Sequence, residues 1–307
     1  MAITLSVIVV TYNPDQILTD CLNSLAAELD QTDTEIIVVD NASNRDISEL
    51  IPKSLVNFRL IKNEINRGFA AANNQGLEIA GGKYALLINP DVIVIPTALT
   101  IMLRFLNEQP TIGILGPRTL NRDNSVALTA YPSYTPLMLL WQYMGLDRIF
   151  PYHVYGEYRF ACETSNVPFS PAWIQASCMM LRHELYKEIG GLDEGLFLYA
   201  EEPDFCDRAR AVGWDVNYCP MASVYHFEST TVSRYPLVKM RHYHLSPLHY
   251  FRKRGRGNAV LALKVGFSLE LIIKLLLRLL EMRWLRDAAS KARVKAYPVV
   301  LGEIWRY

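Results

Sequence analysis

Three short runs of aliphatic and β-branched residues, Ser6–Val10, Glu35–Val39 and Tyr84–Ile88, each give way at once to a polar cluster. The clusters are Thr11-Tyr12-Asn13-Pro14, Asp40-Asn41-Ala42-Ser43 and Asn89-Pro90-Asp91. Near-continuous apolar runs separated by helical patterns predict a mostly parallel sheet covered by helices. In open sheets of that kind, ligands bind outside the carboxyl ends of the strands, so the three polar clusters are expected to line one crevice. The turn after the first run lacks the G-x-G-x-x-G spacing that lets a backbone approach a dinucleotide pyrophosphate, which argues against a dinucleotide-dependent oxidoreductase. Asn66-Arg67-Gly68 precedes a helical pattern, where Arg67 and backbone N–H groups can meet a phosphate.

The chain has 307 residues, enough for one large α/β domain with an appendage or for two modest domains. Acids and bases balance at 31 each, so no global field draws nucleic acid. The five cysteines, Cys21, Cys162, Cys178, Cys206 and Cys219, form no C-x-x-C pair for zinc or dithiol chemistry. Together with an amino terminus that lacks a basic leader and cleavage site, this predicts a reduced, cytoplasmic setting.

The segments SVIVVTYN, VVDNAS, NRGFAAANNQG and LLINPDV occur in the order and spacing of glycosyltransferase family 2. The later stretch IGGLDEGLFLYAEEPDFCDRARAVGW resembles the same family, particularly its bacterial rhamnosyltransferase-like members. The resemblance spans roughly residues 4 to 235, the size of an ordinary domain. It implies a GT-A fold, a Rossmann-like α/β domain with a mostly parallel mixed sheet over residues 1–235. Residues 1–115 would form its nucleotide-sugar-binding half and residues 116–235 its acceptor-binding half. A helical extension follows over 236–307.

The resemblance assigns roles to residues. Thr11, Tyr12, Asn13, Asp40, Asn41, Asn66, Arg67, Gly68, Asn89 and Asp91 would form the nucleotide-sugar site. Tyr12 would lie against the base and Asp40 would accept from a pyrimidine N3–H. A turn aromatic and a helix N-cap are the structural alternatives for these two. Asp91 closes a DxD-type motif written here as Asn89-Pro90-Asp91, so only one carboxylate is present. A hard divalent cation, Mg²⁺ or Mn²⁺, suits a site whose other ligands are water and diphosphate oxygens. His226 would join Asp91 at that cation. The acidic cluster Glu201-Glu202-Pro203-Asp204 holds the expected catalytic base, Glu202, with Glu201 as the rival. Glutamate stands here in place of the family's aspartate and extends the reach by roughly 1.5 Å. The same cluster also suits a helix N-terminus. Asp204 and Asp207, followed by Arg208 and Arg210, read as helix charge pairing. Trp173 and Ser177 would belong to the acceptor-side wall, with core packing an equal alternative for the tryptophan.

The last quarter differs in composition. A basic cluster, Arg252-Lys253-Arg254-Gly255-Arg256, precedes an apolar stretch over 258–280 that carries too many charges for a transmembrane helix. At 100° per residue, Lys264, Glu270, Lys274, Arg278 and Glu281 fall within an arc of about 120°. This predicts an amphipathic helix that meets either an anionic membrane surface or protein.

The function implied is inverting transfer of a sugar, best matched by L-rhamnose from dTDP-rhamnose. The acceptor would be lipid-linked or a glycan in bacterial surface-polysaccharide assembly, with peripheral attachment at the cytoplasmic face of the membrane. The alternative is a catalytically silent homologue that binds nucleotide or glycan as an assembly partner. Joint presence of Asp40, Asp91, Glu202 and His226 favours the enzyme, provided that the fold brings them together.

Overall fold

The computed structural model describes residues 3–29, 33–227, 235–281 and 288–307. In chain order the elements begin with β1 (Leu5–Thr11), α1 (Ile17–Glu28), β2 (Thr34–Asp40), β3 (Phe58–Lys62), α2 (Gly68–Ile79) and β4 (Tyr84–Ile88). Then come β5 (Val92–Val94), α3 (Ala98–Glu108), β6 (Ile112–Leu120) and β7 (Ala130–Tyr131). Four helices follow, α4 (Pro136–Tyr143), α5 (Leu146–Ile149), α6 (Pro151–Val154) and α7 (Gly156–Thr164). The chain continues through β8 (Trp173–Ile174), β9 (Cys178–Arg182), α8 (His183–Ile189), α9 (Glu201–Ala211) and β10 (Asp215–His226). It ends with α10 (Pro236–Lys253), α11 (Gly257–Glu281) and α12 (Ala288–Arg306). The three expected strands are β1, β2 and β4, and the Asn66-Arg67 loop does open a helix, α2.

The chain divides into two compact units. The first comprises Met1–Ser133, Glu157–Glu194 and Glu201–Ser229. The second comprises Tyr134–Gly156, Gly195–Ala200 and Thr230–Tyr307, and is helical.

The first unit is built on an eight-stranded sheet in the order β3-β2-β1-β4-β9-β6-β10-β5. Pairing is parallel for β3-β2-β1-β4 and for β6-β10, and antiparallel where β9 lies between β4 and β6 and where β5 closes the edge. Both faces are buried, which is why the strands read as unbroken apolar runs. Val7 and Val9 of β1 point to one face, against Leu18, Leu22 and Leu25 of α1 and Leu99, Met102 and Leu106 of α3. Ile8 points to the other, among Ala70 and Leu77 of α2 and Phe205, Cys206 and Ala209 of α9. The alternation along β1 is the two-residue period of a strand with both sides covered. All five cysteines are buried and unpaired.

Polar groups close the sheet edge where β4 begins. The Arg182 guanidinium donates to the carbonyls of Ile112 at 2.8 Å and Gln109 at 3.0 Å. Ser6 Oγ donates to Glu35 at 2.6 Å and accepts the Gly82 N–H at 2.9 Å. A Cβ on Gly82 would sit 2.6 Å from Ser6 N and 2.7 Å from Tyr84 O, both backbone atoms that cannot swing away. Gly82→Ala is therefore expected to lower stability by about 1–3 kcal/mol. A fall in the urea midpoint at unchanged slope checks this; an unchanged midpoint contradicts the close approach.

Candidate active site at one sheet edge

Strand direction gathers the polar clusters. Thr11 ends β1 opposite Asp40 at the end of β2, and Val9 pairs with Ile88 at the end of β4. Adjacent strands lie about 4.8 Å apart, so the three carboxyl ends form one row. Because β9 is antiparallel to β4 and starts at Cys178 opposite Ile88, Ser177 emerges at the same edge. There the Asn89 N–H donates to Ser177 O at 2.9 Å. β6 and β10 run parallel to each other and β6 is antiparallel to β9, so His226, the last residue of β10, also reaches this edge, opposite Val92.

Asp91 sits in the tight turn between β4 and β5 and is 5% exposed. Its carbonyl accepts from Phe227 N at 3.0 Å, and Val92 N donates to Asn89 O at 3.2 Å, which fixes the turn. Asp91 Oδ1 lies 3.2 Å from His226 Nε2. Neighbouring donors in an octahedral shell with bonds near 2.1 Å are about 3 Å apart, so this spacing fits two ligands of one hard divalent cation. Among the described residues no group of three or more His, Cys, Asp or Glu side chains forms a metal cage. The pair would thus leave most positions to diphosphate oxygens and water, as a catalytic Mg²⁺ or Mn²⁺ requires.

The loops after β1 and β2 are held by a dense network. Asn41 N donates to Thr11 O at 2.8 Å, Asn13 N to Ser43 Oγ at 2.8 Å, and Asn44 N to Asn13 Oδ1 at 2.8 Å. Asn13 and Ala42 take left-handed backbone conformations, with φ of 49° and 71°. Such strain costs on the order of 1–3 kcal/mol per residue and concentrates at functional sites. Asp40 is buried, and its Oδ1 accepts from Ser43 N at 3.0 Å. Tyr12 lies half-buried on the turn after β1.

Asn41 uses its whole side-chain amide within the protein. It donates to Asn66 Oδ1 at 2.9 Å and Gly68 O at 3.2 Å, and accepts from Asn63 at 3.0 Å and Arg67 N at 2.9 Å. Those four bonds exhaust its capacity, so Asn41 shapes the Asn66-Arg67-Gly68 loop. Asn66 Oδ1 also caps Gly68 N at 2.9 Å, and Gly68 supplies the φ of 83° that opens α2. Arg67 Nη2 is 3.9 Å from Glu194 Oε2, an exposed pair of small net value that a phosphate can displace.

The acids lie in the first turn of α9. Ala176 N donates to Glu202 Oε1 at 3.3 Å, and Ala176 adjoins Ser177, whose carbonyl is bonded to Asn89. Glu202 is therefore tied by a short backbone path to the strand end that carries Asp91. Burial pushes the Glu202 carboxyl above its ordinary value, against the Ala176 N–H that favours the charged form. Glu201 is buried beside it in sequence, at 3% exposed. Asp204 is a structural partner of Arg208 at 2.8 Å, as the i,i+4 spacing predicts. Arg210 turns the other way, to Ser170 Oγ at 3.1 Å and Ala172 O at 3.4 Å. Tyr199 and Ala200, just before α9, both have left-handed backbone, with φ of 70° and 68°.

Trp173, in β8, stacks on Tyr131 of β7 with ring centroids 4.1 Å apart and planes within 8°. One ring face is thus already covered. Thr11 Oγ1 and Ser177 Oγ are buried hydroxyls with no hydrogen-bond partner among the described residues. Each costs roughly 1–3 kcal/mol unless a ligand or water relieves it. The sequence pattern places Ala42 and Ser43 in the cluster after β2 but signals neither the left-handed turn nor the Ser43 contacts, and it does not single out Asn63. A serine or asparagine in a loop carries no distinguishing signal, and alanine is a poor indicator of left-handed backbone.

This architecture, a mixed sheet with acids and a histidine at one strand edge, defines a GT-A fold. The chain belongs to glycosyl transferase family 2, whose model matches residues 6–190. The N-acetylglucosaminyl-diphospho-decaprenol L-rhamnosyltransferase of Mycobacterium tuberculosis is 28% identical over 275 residues, covering 84% of this chain and 87% of that protein. Solved structures share the fold. The mannosyltransferase PcManGT from Pyrobaculum calidifontis, in complex with GDP-Man and Mn²⁺, superposes with a TM-score of 0.56 at 15% identity, covering 97% of this chain and 86% of that one. TarS 1-349 of S. aureus, in complex with UDP, gives a TM-score of 0.54 at 19% identity, covering 99% and 92%.

If Asp91 and His226 share a cation, Asp91→Asn should remove the Mn²⁺-dependent part of nucleoside diphosphate affinity, a loss of at least about tenfold. Calorimetric titration with and without Mn²⁺ measures it; an unchanged metal increment places the cation elsewhere.

Proposed function

We propose that the chain is a metal-dependent, inverting glycosyltransferase that takes L-rhamnose from dTDP-rhamnose. The acceptor we assign is a lipid-linked saccharide of bacterial surface-polysaccharide assembly, met by a peripherally attached enzyme at the cytoplasmic face of the membrane. The observation that carries the catalytic reading is the arrival of Asp40, Asp91, His226 and the Glu202-bearing backbone at one sheet edge. The same observation favours an enzyme over a silent homologue. The rhamnosyl donor and the diphospho-lipid class of acceptor are supported by the name of the Mycobacterium tuberculosis relative. The divalent cation is supported by the complex of the Pyrobaculum calidifontis mannosyltransferase with Mn²⁺.

In this reading residues 1–115 hold the donor and residues 116–235 meet the acceptor. Asp40 accepts the N3–H of the thymine ring, and Tyr12 covers the base. Arg67 leaves its loose pairing with Glu194 to meet a phosphate oxygen. Asp91 and His226 hold Mg²⁺ or Mn²⁺, which when bound neutralises charge on the departing nucleoside diphosphate. Glu202 takes the proton from the acceptor hydroxyl as that oxygen attacks the anomeric carbon from the face opposite the leaving group. Trp173, together with Ser177, forms the acceptor wall.

The test is transfer from dTDP-rhamnose to a diphospho-lipid-linked N-acetylglucosamine acceptor, with the anomeric configuration read by NMR. Inverted product formed only with the cation supports the proposal; retained configuration, or no transfer with any nucleotide-sugar, overturns it. Glu202→Gln should keep donor affinity while turnover falls by at least about a hundredfold. Unchanged turnover would move the base to Glu201.

Because the base acts deprotonated and its carboxyl is raised by burial, turnover should climb with pH through a midpoint above the ordinary glutamate value of 4.5. A midpoint at or below that value assigns the titration to another group.

A further inference from the structure

Helix α11 is turned inside out for a helix surrounded by water. At 100° per residue, Leu261, Val265, Leu269, Ile272, Leu276 and Leu280 fall within an arc of roughly 100°. All of them are exposed, from 42% at Ile272 to 75% at Leu280. The opposite side holds the charge and is the side that is packed. Leu263, Phe267 and Leu271 are buried there, and Glu270 is only 3% exposed.

Glu270 is held by partners within the helical unit. His244 of α10 places Nε2 at 3.0 Å from Glu270 Oε2, and Lys274 pairs with the same carboxylate one turn on. His244 Nδ1 meets Met240 O at 2.7 Å. Burial raises the carboxyl, but the His244 and Lys274 contacts outweigh it and hold Glu270 below its ordinary value. Glu270 and His244 thus form a buried pair, with the half-exposed Lys274 at its edge. The leucines that would normally form a core cover the outside. The side chain of Glu281, the fifth member of the charged arc, lies outside the described residues.

Charge identifies what this face meets. The chain is neutral overall, yet residues 230–307 hold sixteen Lys and Arg against four Asp and Glu. Lys253 and Arg256, just before α11, and Lys291, Arg293 and Lys295 in α12 are exposed. A second copy of such a segment would bring like charge to like. An anionic bilayer supplies the opposite charge together with an apolar layer beneath it. Among the described residues no helix is long and apolar enough to cross a membrane. A helix of 25 residues with one wide apolar stripe suits a position in the plane of the interface.

We propose that the outward aliphatic face of α11 inserts into an anionic lipid surface, with the basic residues of the carboxyl-terminal segment seated on the headgroups. This deepens the lipid-linked-acceptor reading and rests on it for its purpose, since it brings the enzyme to the layer where such an acceptor resides.

The test is flotation of the full chain with vesicles of phosphatidylcholine and phosphatidylglycerol in equal parts. The protein should float with them, less so at high salt, and remain behind with phosphatidylcholine alone. Leu269→Glu with Leu276→Glu alters side chains that are more than half exposed and should lower partitioning at least about tenfold. Lys291→Glu, Arg293→Glu and Lys295→Glu together provide a second, purely electrostatic variant with the same expected direction. Wild-type protein left in the aqueous layer, or a double-leucine or triple-basic variant that floats as well as wild type, would overturn the proposal. So would a wild-type dimer in sedimentation that the leucine variant splits while vesicle binding is absent. Transfer to a short-chain acceptor in detergent needs no vesicle. Wild-type protein that transfers but does not float therefore strikes this inference alone, and wild-type protein that floats but does not transfer strikes the proposed reaction alone.

Discussion

The direction of β9 is the constraint on which the site depends. Inserted antiparallel between β4 and β6, it starts at the edge where β1, β2 and β4 end. That placement sets Ser177 beside Asn89, and it puts Ala176 where its N–H can hold Glu202. It also lets β6 and β10 run in the direction of β4, so that His226 arrives next to Asp91. A parallel β9 would have delivered Ser177 to the far edge, a strand length of about 17 Å away at roughly 3.3 Å per residue. The polar clusters after β1, β2 and β4 and the acids of α9 would then occupy opposite edges of the sheet.

Holding polar groups in that position is costly. Asn13 and Ala42 keep left-handed backbone, Thr11 and Ser177 bury hydroxyls, and the Glu202 carboxyl is raised by burial. The two packed faces of the sheet and the Asn41 network offset these costs. They leave a prearranged edge, and an edge of that kind, under the proposed reaction, would have little reorganisation to undergo when charge develops on a leaving group.

Much of this was legible in the sequence, and the reasons differ by element. β1, β2 and β4 announce themselves because strands buried on both faces are unbroken aliphatic runs. Asp40, Asp91, Glu202 and His226 are picked out by family motifs, and strand direction explains why Asp40, Asp91 and His226 share an edge. β9 is harder to read, since Cys-Met-Met-Leu-Arg has neither β-branching nor alternation, and antiparallel insertion has no local signature at all. The saturation of Asn41 depends on partners more than twenty residues away. The same limit applies to α11. Periodicity gives the helix and its charged arc, but the inward orientation of that arc depends on His244, 26 residues from Glu270. Trp173 is open in sequence between stacking on a sugar and packing in the core, and it stacks on Tyr131 and packs against the core beside Ile174, contacts that lie far from it in sequence.

The central claim is that one sheet edge holds both cation and nucleotide. Anomalous diffraction from a crystal grown with Mn²⁺ and dTDP tests it most directly. The account predicts a manganese peak shared by Asp91 Oδ1 and His226 Nε2, with the diphosphate on the peak and the thymine against Asp40. A nucleotide bound away from Asp40, or a manganese peak that touches neither Asp91 nor His226, would contradict it.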